Sequence, residues 1–366
     1  MFHLSKVLRV LGLMSGTSLD GIDVAFLETD GEAIVKRGPS ATYAYDAKQQ
    51  ALLRQALADA EGMEERNERP GILAEAETAL TDWHAKAVES FCQQHGLSDS
   101  KPDLIGFHGQ TVLHRPDKHL TVQLGDGAAL AKATGIEVAY DLRAADIAAG
   151  GQGAPLVPIY HAALSPERPT AFVNIGGVAN ITYISKTGEL LAFDTGPGNA
   201  LLNDWMLKKQ GTDFDEGGAF SSFGTVSPKY LATMMAHPYF AVPPPKSLDR
   251  NTFALVYLGG LSSEDGAATL AAFTVAAIAK AAAHLPDKPK QWVICGGGRH
   301  NAAMMQGLRA SLSGVVSAED IGLNGDSMEA EAWAYLAVRA KRGLPITFPG
   351  TTGVEHPMTG GVFAKP

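Results

Sequence analysis

Apolar positions along this chain follow two alternating periods. Short runs of aliphatic and β-branched residues, such as Val7 to Leu13 and Ile22 to Thr29, have strand character. Leu73, Ala76, Leu80, Trp83, Ala87 and Phe91 instead recur at helical spacing. From the first run the pattern predicts a strand, a glycine turn and a second strand, then a hairpin at Asp30-Gly31. A third strand follows near residue 43, then helices over Ala47 to Ala60 and Ile72 to His95. The stripe on the second helix is most simply core, with His84 and His95 expected at the surface. Asp103 to Phe107 is a short apolar strand, and two strands leading into helix or glycine-rich loop fill residues 121–158. A boundary is expected at Ser165 to Pro169, dividing the chain into 1–168 and 169–366. Beyond it the opening pattern restarts: strand, glycine turn, strand, a second turn at Ser185 to Glu189, and a third strand running into Asp194. Gln291 to Asn301 is a later strand ending in glycines, and Ser327 to Lys341 the last clear helix. The repeat is one of architecture, not of sequence.

A length of 366 residues makes two domains the natural expectation. The net charge of −9 and isoelectric point near 5.7 argue against broad nucleic-acid or anionic-membrane binding, which needs a positive surface. Cys92 and Cys295 lie far apart with no metal-ligand spacing, and suit a reduced compartment as buried thiols. The first residues carry no signal-peptide pattern. The most apolar helix, Ala267 to Ala279, is short for a bilayer and is followed by Lys280, so a buried helix is expected. A cytoplasmic protein is the resulting expectation.

The 40 glycines cluster, and the clusters carry the candidate chemistry. The first, LGLMSGTSLDG, offers Gly16, Thr17, Ser18, Leu19, Asp20 and Gly21, with Ile22 and Asp23 just beyond. Backbone N–H groups in such a turn can converge on a phosphate. The lysine of the common phosphate loop is missing and a strand follows, so alone the stretch is also an ordinary hairpin. The second, NIGGVANIT, repeats the geometry at Gly176 and Gly177. The third, FDTGPGN, sets Asp194 at a strand end. The fourth, CGGGRHN, sets Gly296, Gly297 and Gly298 where a flat ring can lie on bare backbone. Two phosphate turns, an acid and a late glycine platform suggest one ATP held between two related domains.

These strings, with GFHGQT, QLGDGAALA and DLRAADIAAGGQGAPLVP, resemble the anhydro-N-acetylmuramic acid kinase family, within the superfamily of sugar kinases, heat-shock chaperones and actin. The resemblance runs from about Leu11 to the end of the chain. It implies an α/β fold of two related actin-like (ribonuclease H-like) domains flanking a deep ATP and sugar cleft. It also implies a cytoplasmic homodimer acting in peptidoglycan recycling on a small amino sugar. The implied reaction uses ATP, Mg²⁺ and water to open the 1,6-anhydro bridge of 1,6-anhydro-N-acetylmuramic acid and phosphorylate O6. Asp194 matches the catalytic aspartate of the family; its alternative is plain turn chemistry. Glycoside hydrolysis ordinarily takes two carboxyl groups; here phosphorus can stabilise the departing oxygen, so one could suffice. Asp20 or Asp23 can hold Mg²⁺ through water. Arg143 suits the lactyl carboxylate, because arginine offers two parallel donors; its alternative is a surface ion pair with Asp141 or Asp146. Asp146 and Gln152 are candidate hydroxyl or amide partners, and His108 and Gln110 can line the same site. His114, His119, His161, His237 and His356 form no metal pattern, and Glu329 is assigned to the helix dipole. The rival functions are a plain sugar kinase and a nucleotide-switched binding protein.

Overall fold

The computed structural model describes residues 6–16, 18–165, 167–248, 250–253 and 258–366. It divides into two compact units. The first takes the chain to Leu164 and again from Ser327 to Pro366; the second is Ser165–Asp326.

In the first unit, β1 (Leu8–Ser15), β2 (Gly21–Thr29) and β3 (Val35–Ala44) form an antiparallel meander. Helices α1 (Ala47–Ala60) and α2 (Leu73–Gln94) precede β4 (Leu104–Arg115), which runs parallel to β1, and β5 (Leu120–Leu124) folds back on β4. After α3 (Gly127–Thr134), β6 (Val138–Tyr140) joins β4 in parallel, and α4 (Ala144–Ala148) and α5 (Pro158–Leu164) close this part. Local chemistry sets the ends. Asp46 and Gln49 form a reciprocal capping box at the start of α1. Asp126 caps α3, which stops at Gly135 in the left-handed conformation.

The second unit repeats the plan. β7 (Thr170–Ile175), β8 (Val178–Ile184) and β9 (Leu190–Pro197) form the meander. Helices α6 (Ala200–Gln210), α7 (Ala219–Phe223), α8 (Pro228–Met235) and α9 (Ser263–Ala281) lead to β10 (Gln291–Cys295), parallel to β7. After α10 (Ala302–Ser311), β11 (Val315–Ser317) is parallel to β10. The chain then returns to the first unit as α11 (Met328–Lys341), α12 (Pro349–Thr352) and β12 (Val362–Ala364). The sheet orders are β12-β6-β4-β1-β2-β3 and β11-β10-β7-β8-β9. Each is an antiparallel trio with two parallel strands added beside its first member. This bears out the duplicated ribonuclease H-like architecture.

The expected boundary needs correction at its far end. Residues 327–366 belong with the first unit because α11 packs on β1, β2 and β4. A side chain at Gly12 or Gly106 would run into the Ala330 or Trp333 carbonyl of α11, so two glycines admit the helix to the sheet. Trp333, Leu336 and Ala337 are buried there, and β12 pairs with β6. His84 is also corrected. It lies on the apolar stripe of α2, fully buried, its Nδ1 2.8 Å from the Leu80 carbonyl and its ring edge-on to Phe107. His95 is exposed as expected. Helix α9 is apolar and long, and it is buried in the core of the second unit. Both cysteines are buried thiols outside any disulfide.

Candidate active site

In the first unit, candidate groups gather where β1 ends beside the middle of β4. Thr17 lies outside the described residues. Leu19 takes a left-handed φ of 60° and, with Ile22, sends its side chain into the core, so only the backbone of these two residues can serve a ligand. Ser18 and Asp20 are exposed. Asp23, near the start of β2, accepts the Thr42 hydroxyl at 2.6 Å. Gln110 is buried and donates its Nε2–H to the Gly16 carbonyl. Its Oε1 is a buried acceptor with no partner among the described residues. An acceptor left in that state is costly and suits a ligand donor beside the turn.

His108 and Arg143 form a unit. His108 Nδ1 lies 3.2 Å from the Ser15 carbonyl, and its Nε2 lies 3.1 Å from Nη2 of Arg143. The guanidinium can only donate, so Nε2 accepts and Nδ1 carries the proton. Burial first, and Arg143 second, hold the imidazole well below its ordinary pKa, hence neutral. Arg143 donates Nη1–H to the Gly153 carbonyl at 2.8 Å and lies over the Trp333 indole. Neither of the alternative ion pairs forms. Asp141 is taken by Arg66, and Asp146 accepts the Gly153 N–H at 2.7 Å and the Thr352 hydroxyl at 2.6 Å. Burial lowers the guanidinium pKa to about 10, with Glu329 and then Asp146 opposing from a distance. A desolvated cation, forked and held on three sides, is arranged to receive an anion.

Two expectations are modified here, and a third stands. Asp146 is buried and spends its carboxylate on the 150–153 loop and the tail, which makes it a supporting group. Gln152 is exposed, with its backbone N–H on the Thr352 carbonyl. Glu329 stands in the first turn of α11, where a helix-end charge is expected. Although exposed, its carboxyl pKa is raised by desolvation, with Arg143 opposing and Asp23 adding. Its sequence signal is only its place at the start of α11, and nothing in the sequence ties that helix to Arg143.

In the second unit, the β7–β8 turn carries Gly176 and Gly177. Their carbonyls accept the N–H groups of Gly198, Asn199 and Ala200 at 2.7–3.2 Å. A trans peptide sets N–H opposite C=O, so the Gly177 and Val178 N–H groups aim away from that loop. A Cβ on Gly176 or Gly177 would meet nothing nearer than 3.6 Å and 3.8 Å, and neither has a positive φ. Neither packing nor conformation requires glycine there. Gly16 and Gly297 are equally unconstrained, at 3.5 Å and 3.6 Å. Gly296 and Gly298 differ: side chains there would strike Asn174 and Ile175, so the fold itself requires them.

Asp194 lies on β9, the edge strand, at a register shift opposite Asn180. Its Oδ2 accepts the Leu248 N–H at 2.7 Å. Burial raises its pKa to about 6, against that hydrogen bond. A carboxylate so tuned is basic enough to take a proton from water while ionised near neutrality. Among the described residues no group of three or more metal-binding side chains occurs.

Residues 8–365 match the family model of anhydro-N-acetylmuramic acid kinase. Curated relatives of that name are 54% identical in Methylobacterium nodulans (98% of this chain, 100% of the relative), 52% in Bradyrhizobium diazoefficiens (98% and 100%) and 51% in Agrobacterium fabrum (99% and 100%). Solved structures matching at low identity include an activator of the 2-hydroxyisocaproyl-CoA dehydratase from Clostridium difficile (13% identity, TM-score 0.45, 91% of this chain and 96% of that one). A ROK family glucokinase from Streptomyces griseus also matches (14%, TM-score 0.38, 90% and 98%).

Proposed function

The chain belongs to the anhydro-N-acetylmuramic acid kinase family, and from that premise we propose the reaction and the residues that carry it. Water attacks C1 of 1,6-anhydro-N-acetylmuramic acid and Asp194 takes its proton. The C1–O6 bond breaks, and O6 accepts the γ-phosphoryl group of ATP. The products are N-acetylmuramic acid 6-phosphate and ADP, and the proton leaves Asp194 for solvent. The observation that carries this reading is Asp194 itself: a carboxyl raised to about 6 and held by the Leu248 N–H.

The unconstrained glycines, Gly16, Gly176, Gly177 and Gly297, present bare backbone to the nucleotide. Gly296 and Gly298 shape the strand end beside them. Mg²⁺, when bound with ATP, neutralises phosphate charge; Asp23 and Asp20 would hold it through water. Arg143, oriented by His108 and Trp333, takes the lactyl carboxylate, and Gln110 and Gln152 supply polar contacts to the sugar or phosphates. The cytoplasmic, homodimeric enzyme of cell-wall recycling that we infer rests on the family.

The test is turnover of 1,6-anhydro-N-acetylmuramic acid with MgATP in ¹⁸O-water, followed by mass spectrometry. A product heavier by one phosphate and one labelled water, and lost in Asp194→Asn, is expected. Phosphorylation without label makes the chain a plain sugar kinase. ADP formed without any sugar product removes the substrate assignment.

A further inference from the structure

We propose that Tyr239 is a positioning residue for the base, acting through a strap, residues 237–248, that grips Asp194 by its backbone and its carboxylate together. The proposal rests on the reading of Asp194 as base.

The strap answers a structural need. Asp194 sits on an edge strand, so one side of its backbone has no neighbouring strand, and the register shift at Ala179/Asn180 disturbs its pairing on the other. The strap supplies the missing partners. The Asp194 N–H donates to the Lys246 carbonyl at 3.0 Å. The Asp194 carbonyl accepts the Tyr239 hydroxyl at 2.6 Å. The Leu248 N–H reaches Oδ2 at 2.7 Å. Backbone donor, backbone acceptor and carboxylate are thus fixed by three residues of one segment.

The strap is itself anchored. The Lys246 ammonium lies 4.6 Å from the Tyr239 ring centroid and donates to the Tyr239 carbonyl at 3.2 Å. Tyr239 meets Phe240 and Phe253 edge-on, and both of those pack on Phe273 of α9. The Tyr239 hydroxyl is therefore aimed from a fixed ring. Among the described residues the titratable groups facing this region are Tyr239, Lys246 and His237, whose Nδ1 accepts the Tyr239 N–H at 3.2 Å and whose ring lies against Phe253; Lys280 lies over Phe240, and His284 meets Phe193. Without the hydroxyl, the Asp194 carbonyl loses its partner from the strap, and only the Lys246 carbonyl holds the backbone on that side. The carboxylate then drifts from the Leu248 N–H and from the direction of attack.

The experiment compares Tyr239→Phe, Asp194→Asn and the parent enzyme, measuring kcat, both KM values and melting temperature across pH 5–8. Tyr239→Phe is expected to lower kcat roughly tenfold, within the loss a slightly misplaced catalytic group produces, with both KM values held. Its acid limb moves to higher pH, because the ionised carboxylate loses a donor. A merely structural tyrosine would lower the melting temperature and leave kcat and the limb in place; that result overturns the proposal while an inactive Asp194→Asn keeps the base. Turnover persisting in Asp194→Asn overturns the base reading, and the proposal with it. If Tyr239→Phe does not fold, Lys246→Met releases the clasp on the Tyr239 carbonyl and ring. It must lower kcat with KM held, and an unchanged kcat overturns the proposal.

Discussion

The guanidinium of Arg143 lies 5.1 Å from the indole centroid of Trp333, a residue of the helix that returns to the first unit. The arginine thus has a stacked face, one hydrogen bond to Gly153 and two, from Nε and Nη2, to Nε2 of His108. Arg143→Lys keeps the charge but loses the fork and the flat face. The expected result is a KM for the anhydro-sugar raised by roughly tenfold to a hundredfold, the size of a charge-assisted hydrogen bond, with the KM for ATP little changed. Steady-state kinetics at fixed MgATP measures it; an unchanged sugar KM removes Arg143 from the sugar site.

Glycines that the fold requires should separate from glycines that a ligand requires. Gly12→Ala drives a methyl into the Ala330 carbonyl of α11. It is expected to destabilise the protein by about 3 kcal/mol or more, the upper end of overpacking. Gly177→Ala meets nothing nearer than 3.8 Å. It should leave the melting temperature near the parent value and raise the KM for ATP roughly tenfold, through a weakened hydrogen bond to phosphate. Thermal melts beside ATP titrations test both; a Gly177→Ala variant that melts early with normal ATP affinity reverses the assignment.

The same glycines show what is legible in the sequence. The strands, the turns and the restart of the pattern after residue 165 follow from local periodicity, and the sheet orders agree with them. The owner of the last helix does not. Gly12, Gly106 and Ala330 meet only in three dimensions, so what assigns α11 to the first unit is a long-range packing contact, absent from any local window.

The site divides in the same way. In the proposed site, Asp194 and the glycine turns can be named from contiguous strings of sequence. The strap around Tyr239 cannot, because it reaches Asp194 across the fold. His84 departs from its expected surface place because its position on the stripe with Leu80, Ala87 and Phe91 outweighs its polarity.

His84 also sets an acid limit on stability. Burial lowers its pKa to about 4, against an ordinary value of 6.5. The unfolded chain therefore binds a proton at higher pH than the folded one. The stability tied to the neutral ring is complete above about 6.5 and is lost as pH falls towards 4. His84→Phe has no proton to take up, so its loss of stability between pH 6.5 and 4 should be shallower than that of the parent. Denaturant unfolding at a series of pH values reads the slope, and parallel slopes count against the assignment.

Asp194 carries the opposite sign. Its folded pKa, about 6, lies above the ordinary carboxylate value because burial disfavours the charge. The protonated carboxyl is the comfortable form. Stability is fully present below about pH 4 and is lost as pH rises through 6. Activity runs the other way if Asp194 is the base, since only the ionised group can take the proton from water: kcat/KM, which reports the free enzyme, should climb as pH rises through about 6 and level off above it. Asp194→Asn separates the two effects. At about pH 8 it should be inactive and more stable than the parent by about 2 kcal/mol, the value of a shift of this size discounted for partial solvent access. At about pH 4 the two proteins should unfold alike. Unfolding curves at both pH values, beside a pH profile of kcat/KM, test this. An Asn variant that gains no stability over the parent between the acid and the alkaline condition would mean that the carboxylate is not under strain in the fold.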